Sequence, residues 1–181
     1  MAGGNDVGRT GILMAALACM AGCSGSAIVP EWREFSSDEF GVSVTMPGEY
    51  AIKSGGGDGA GGNGQMLEVE AVDESSRTSY SLKVLRQDVE LNEAGILRAL
   101  DNLTERTEVT STELITDERI DRDGALGRRL VYVSPSQAIW LENYWIDNRN
   151  IYVEVYSRTR EGVLDPHVAE FCNSLKISAS H

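Results

Sequence analysis

The sequence predicts an α+β domain in which an antiparallel sheet carries two well separated helices. Three observations lead there. Apolar and polar residues alternate with a period of two across 40–46, 67–84 and 114–156, the pattern of half-buried strands. The dipeptide Asp123-Gly124 and the polar groups 73–76 and 147–150 interrupt these runs at hairpin spacing. Helical periodicity occurs around 93–105 and 166–175, outside the strand runs. Strands with segregated helices make an α+β fold rather than an alternating α/β one.

Near its start the chain has Arg9, then a short apolar run over 11–22 that ends in small residues directly before Cys23. This is the layout of a secretory signal peptide. The run is too short to cross a bilayer, which takes roughly 20 apolar residues. Met20-Ala21-Gly22-Cys23 resembles the bacterial lipobox, in which cleavage falls before a cysteine that carries diacylglycerol. Cys19 fits that pattern less well, because Ala16 and Leu17 precede it. The resemblance implies a signal peptide over 1–22, lipidation of Cys23 and a membrane held through covalent lipid. Ser24 in place of aspartate resembles the outer-membrane sorting pattern of enteric-type bacteria, facing the periplasm. Residues 23–35 then read as a lipidated tether and 36–178 as a single domain.

Within that domain, Phe40 to Met46 reads as a strand closed by the turn Pro47-Gly48. Ser54 to Gly64 reads as a flexible, glycine-rich surface loop. Leu67, Val69 and Ala71, then Thr78, Tyr80, Leu82 and Val84, predict a hairpin about Asp73-Glu74-Ser75-Ser76. Ile96, Leu97, Leu100 and Leu103 form the apolar stripe of a helix weakened early by Gly95. Leu114–Ile120, Leu126–Val133, Ala138–Ile146 and a strand from Ile151 follow, the last two joined by a four-residue turn, Asp147 to Asn150. The final helix starts at a capping Asp165 with Pro166 in its first position. Its stripe, Val168, Phe171, Cys172 and Leu175, makes Cys172 a small core residue rather than a nucleophile.

Removing residues 1–22 leaves roughly 160 residues, enough for one domain with a real core. Arg9 and Asp6 leave together, so the formal net charge stays at -12. Such a surface repels nucleic acid and anionic lipid, so the predicted partners exclude nucleic acid. No Gly-Xaa-Ser-Xaa-Gly elbow is present, and His167 lies five residues from Cys172, off its face. We therefore expect no catalytic residues and no enzyme. With so few Cys and His, no transition-metal site is expected, and no cofactor. The acidic group Asp117, Glu118, Asp121 and Asp123 is interleaved with Arg119 and Arg122, which reads as a charged hairpin rather than a calcium loop. The glycine loop lacks the Gly-Lys-Ser/Thr ending of a phosphate loop.

The aromatic set Trp140, Tyr144, Trp145, Tyr152 and Tyr156 is the candidate binding surface. Strand parity sets Trp140 and Tyr144 on one face and Trp145 on the other, and in the next strand Ile151, Val153 and Val155 on one face and Tyr152, Glu154 and Tyr156 on the other. Either the helices cover these faces, or one presents an aromatic groove to an unidentified envelope protein or to a small or lipidic ligand.

Trp32-Arg33-Glu34-Phe35-Ser36, Phe40 to Gly48, Gly124 to Leu130 and Phe171 to Ile177 together resemble the PsbP-like superfamily. That group includes photosystem-associated PsbP proteins and DcrB-like lipoproteins. The resemblance implies an antiparallel sheet packed between helices, an α/β/α sandwich, with a closing helix and short strand. It implies an accessory or docking role in the cell envelope and carries no family-wide catalytic residues. The glycine-rich insert and Glu49-Tyr50, where the family has a further proline, depart from its pattern.

Overall fold

Alternation does most of the work in building this fold. In the computed structural model, which describes residues 31–57, 64–106 and 112–178, β4 (Gly64–Asp73) and β5 (Thr78–Arg86) bury every second side chain. Leu67, Val69 and Ala71 on β4 and Tyr80, Leu82 and Val84 on β5 point to one face and are at most 4% exposed. β9 (Arg149–Ser157) does the same with Ile151, Val153 and Val155. Two further pairs extend the sheet: β3 (Tyr50–Gly57) beside β4, and β6 (Glu113–Arg122) beside β7 (Ala125–Val133), which leads to β8 (Ala138–Ile146). The order is β3-β4-β5-β9-β8-β7-β6, and every neighbouring pair is antiparallel.

The predicted meander is present as β6-β7-β8-β9. Its first turn is Asp123-Gly124, with φ of 53° and 83°, the left-handed geometry that this dipeptide adopts readily. Between β5 and β6 the chain must reach the far edge of the sheet. It does so through α1 (Glu93–Arg106), which lies over β7 and β8. Ile96 and Leu100 of α1 pack on Trp145, and each such buried side chain contributes about 1.5–3 kcal/mol. Leu97, placed in the apolar stripe by its spacing, is instead 38% exposed.

The opposite face is closed by a small sheet, β1 (Trp32–Ser37), β2 (Val42–Pro47) and β10 (Lys176–Ile177) in the order β1-β2-β10, together with α2 (Pro166–Ser174). Asp165 caps α2 by accepting the His167 N–H at 2.9 Å, with Pro166 at the helix start, as the sequence predicts. Val168, Phe171, Cys172 and Leu175 are at most 3% exposed, so the predicted stripe is the buried one. Phe171 meets Tyr80 edge to face with ring centroids 5.2 Å apart. The fold is thus α+β: α1, the seven-stranded sheet, then α2 with the small sheet.

Three local expectations change. Trp32 to Ser37, partly inside the stretch read as tether, is strand β1, paired with β2 from Trp32↔Pro47 to Ser37↔Val42. Gly55 to Gly57 and Gly64, read as loop, lie in β3 and β4 and pair up to Gly57↔Gly64; the tip, 58–63, lies outside the described residues. The four-residue turn is shorter, because Arg149 and Asn150 belong to β9 and pair with Ile146 and Trp145. Arg149 is 1% exposed. Its guanidinium donates to the Phe40 carbonyl at 2.9 Å, the Ser178 carbonyl at 2.7 Å and Asp147 at 3.2 Å. It thereby ties the end of the chain and the turn before β2 to the main sheet. Gly41 sits against that guanidinium at φ 60°, where a Cβ would come within 2.3 Å of it.

Candidate functional site

The five aromatics of the candidate surface divide between the two faces of the main sheet. Trp140 and Tyr144 lie on the inner face, toward α2 and the small sheet, and Trp145 lies under α1. Tyr144 is 1% and Trp145 6% exposed, so both belong to the core rather than to a surface. Strand parity separates the two, and the covering layers account for their burial.

The inner face holds a buried carboxylate. Glu142 is fully buried and accepts three hydrogen bonds: from Arg129 Nε at 2.7 Å, Trp140 Nε1 at 3.1 Å and the Tyr144 hydroxyl at 2.7 Å. Arg122 stands 3.8 Å away and bonds the Cys172 carbonyl. Arg129 lies over the Trp140 ring and Arg122 over the Tyr144 ring, at 4.9 and 5.4 Å. Burial raises the Tyr144 hydroxyl pKa, and Glu142 adds to it. Burial likewise raises the Cys172 thiol pKa, with Glu142 adding. A thiol held neutral and covered is a poor nucleophile. His167 is engaged elsewhere, 3.3 Å from Glu170 and against the Trp32 ring.

Under α1, Trp145 Nε1 donates to Asn143 at 3.1 Å, Asn143 bonds Asn150, and Asn150 donates to the Tyr152 hydroxyl at 3.1 Å. Arg128 fixes the helix above. It grips both oxygens of Asp117 at 2.7 Å and donates to the Leu100 carbonyl at 2.9 Å. Two more of the acidic group are also tied into the fold: Glu118 pairs with Arg129 at 2.6 Å, and Asp123 accepts the Ile177 N–H at 3.0 Å. Among the described residues no group of three or more His, Cys, Asp or Glu side chains is arranged to hold a metal ion.

Tyr152 marks the margin of the covered zone, packed with Leu103 against the cluster of Leu130, Tyr132 and Leu141. Beyond it the outer face over β9, β5 and β4 stays accessible. Tyr152, Glu154 and Tyr156 stand in a row along β9, beside Lys83 and Ser81 of β5 and Glu68 and Glu70 of β4. Glu154, Tyr156, Lys83, Glu68 and Glu70 help line a concavity of about 260 Å³. Lys83 bonds Glu68 at 2.8 Å, which lowers the Glu68 pKa. Lys53 bonds Glu70 at 2.6 Å. Among the described residues Glu154 makes no hydrogen bond or ion pair of this kind. It is exposed as a residue, yet its carboxyl lies close over the sheet. Lost hydration there raises its pKa, against the pull of Lys83 and with Glu68 and Glu70 adding. Parity in the sequence already groups the row on β9, whereas its charged neighbours on β4 and β5 leave no such signal.

With this architecture in view, the comparison with solved structures is decisive for the fold. The chain superposes on the solution structure of cyanobacterial PsbP (CyanoP) from Synechocystis sp. PCC 6803 with a TM-score of 0.53, at 14% sequence identity, covering 88% of this chain and 99% of that one. The fold is PsbP-like. No family model matches the chain, and no curated protein matches it in sequence. The PsbP-like likeness extends to build alone at this identity. Cys23 and the stretch 1–22, read from the sequence as a signal peptide, lie outside the described residues, and among those described no helix is long and apolar enough to cross a membrane.

Proposed function

We propose that this chain is a lipid-anchored accessory protein of the bacterial cell envelope, non-enzymatic, which binds another envelope protein through the open part of its outer sheet face. The observation that carries the reading is the row Tyr152, Glu154 and Tyr156 on strand β9, accessible, with a carboxylate that feels Lys83 nearby but forms no ion pair among the described residues. Aromatics held by a sheet make good binding anchors, since little side-chain freedom is lost on contact. The lipobox-like Met20-Ala21-Gly22-Cys23 supports the anchor, and the PsbP-like fold supports an accessory role. The concavity beside Tyr156 is lined largely by charged and hydroxyl side chains, which suits a polar protein surface better than an acyl chain.

The test is crosslinking in native membranes followed by recovery of the chain. One stoichiometric envelope protein should be recovered with the wild type and lost with Glu154→Lys or Tyr152→Ala, each with an unchanged circular-dichroism spectrum. Intact mass of the membrane form should show acylated Cys23, absent in Cys23→Ala. Recovery of no protein, with lipid bound in the purified domain, would replace this reading with that of a carrier.

A further inference from the structure

The free edge of the main sheet at β3 is unlike its other edge. β6 carries Asp117, Glu118, Arg119, Asp121 and Arg122, charges of the kind that keep an edge from pairing. β3, in contrast, reads Tyr-Ala-Ile-Lys-Ser-Gly-Gly-Gly. Its single charge, Lys53, is drawn back over its own sheet by Glu70 at 2.6 Å and Glu68 at 3.8 Å. Ala51 to Gly55 are all exposed, and Ile52 is 55% exposed among the described residues.

Nor does the chain itself require glycine at 55. Its φ lies outside the left-handed region, and a Cβ there would meet nothing within 4 Å. Gly64 across the hairpin is different: a Cβ would come within 2.7 Å of the Arg86 carbonyl oxygen. Glycine inside a strand weakens it and commonly marks the close approach of another backbone.

We propose that β3 pairs antiparallel with β3 of a second copy, with Ser54 facing Ser54 on the two-fold axis. The strand is self-complementary in that register. Its first half carries side chains and its second half carries none, so Ile52 lies across from Gly56 of the second copy, Lys53 from Gly55 and Ala51 from Gly57. Facing residues share parity, so inner and outer faces run on continuously through the joint. Large side chains then cover the bare glycine backbone of the other strand. Centring on Lys53 instead would oppose two like charges.

The test uses the full chain in mild detergent and reducing buffer. Sedimentation from about 10 µM to 1 mM should show a monomer–dimer equilibrium, with β3 amides gaining protection from hydrogen exchange as the dimer forms. Ser54→Lys and Ser54→Glu, both at an exposed position, should each weaken association at least about tenfold with unchanged melting temperature. An equimolar mixture of the two should restore it, because opposite charges then meet on the axis. A wild type that stays monomeric at the highest concentration overturns the proposal. So does a dimer indifferent to both charges, a mixture that fails to recover, or a monomeric chain whose β3 edge is taken by a strand of another protein.

Discussion

Glu142→Ala is the most informative single substitution for the architecture. The carboxylate is fully buried and serves Arg129, Trp140 and Tyr144 at 2.7–3.1 Å. Its removal strands the Tyr144 hydroxyl and the Trp140 N–H and leaves Arg129 with Glu118 alone. Breaking a buried ion pair from one side costs about 3–5 kcal/mol, and a stranded neutral donor alone costs about 1–3. Arg129 and Trp140 keep some access to water, which places the total near the lower end. For a domain of this size 1 kcal/mol moves the melting temperature by roughly 2–4 °C, so a cost of about 3 kcal/mol gives an expected drop of about 6–12 °C. Glu118→Ala is the control. Its carboxylate is 47% exposed although it bonds the same arginine, and exposed pairs contribute about 0–1 kcal/mol. Thermal unfolding followed by near-ultraviolet circular dichroism reads both. A Glu142→Ala melt within 3 °C of wild type, taking 3 °C as roughly 1 kcal/mol, would refute the reasoning, as would an equal loss from Glu118→Ala.

Two further expectations concern titratable groups. Cys172→Ala should cost about 1–2 kcal/mol and leave partner binding intact, and a thiol reagent should label Cys172 only as the chain unfolds, since the thiol is 1% exposed and held neutral; rapid labelling of the native protein would contradict this. Acid should destabilise the domain partly through Asp117, whose hydrogen bonds from Arg128 hold its pKa below the ordinary carboxylate range. A depressed folded pKa means the stabilisation is present above the unfolded value and is lost as pH falls through the folded one. Asp117→Asn should therefore flatten the acid limb of melting temperature against pH, and an unaltered limb would dismiss Asp117 as a contributor.

Periodicity carried β4, β5 and β9 from sequence to structure because each buries one face and wets the other, and a period of two is the direct record of that. α2 was legible because Asp165 and Pro166 announce its start by local chemistry. β3 was not, since glycines carry no side chains from which a period can be read; its strand state comes from pairing with β4. β1 hides for a related reason. Of its six residues only Phe35 is buried, so no alternation appears. Arg149 and Asn150 look like turn residues beside Asp147 and Asn148, and become core only because the carbonyls of Phe40 and Ser178 arrive from distant parts of the chain. At the candidate site, parity put Tyr152, Glu154 and Tyr156 on one face. The neighbours that give Glu154 its setting come from β4 and β5, joined to β9 by a pairing between distant segments that composition does not record.

The open part of the outer face follows from dimensions. Seven strands at about 4.8 Å spacing make a sheet about 29 Å wide. One helix with its side chains is about 10–12 Å across, and the 14 residues of α1 make it about 21 Å long. A single helix laid along the strands therefore covers two or three of them. The outer positions divide accordingly: Leu130, Leu141 and Trp145 beneath α1, but Ser79, Ser81, Lys83, Glu68 and Glu70 beyond it. Had the uncovered strands carried leucines, they would form an apolar patch requiring a permanent cover. Apart from Met66, Val72 and Leu85 at the strand ends, they carry hydroxyls, carboxylates and an ammonium group instead, stable in water and costly to desolvate without matching partners. A surface of that kind suits a partner that comes and goes, with the Tyr152 and Tyr156 rings providing contact area and Glu154 rewarding a positive charge brought against it. Glu154→Lys, which reverses that reward while leaving the rings in place, is for this reason the sharper of the two substitutions at the proposed binding face.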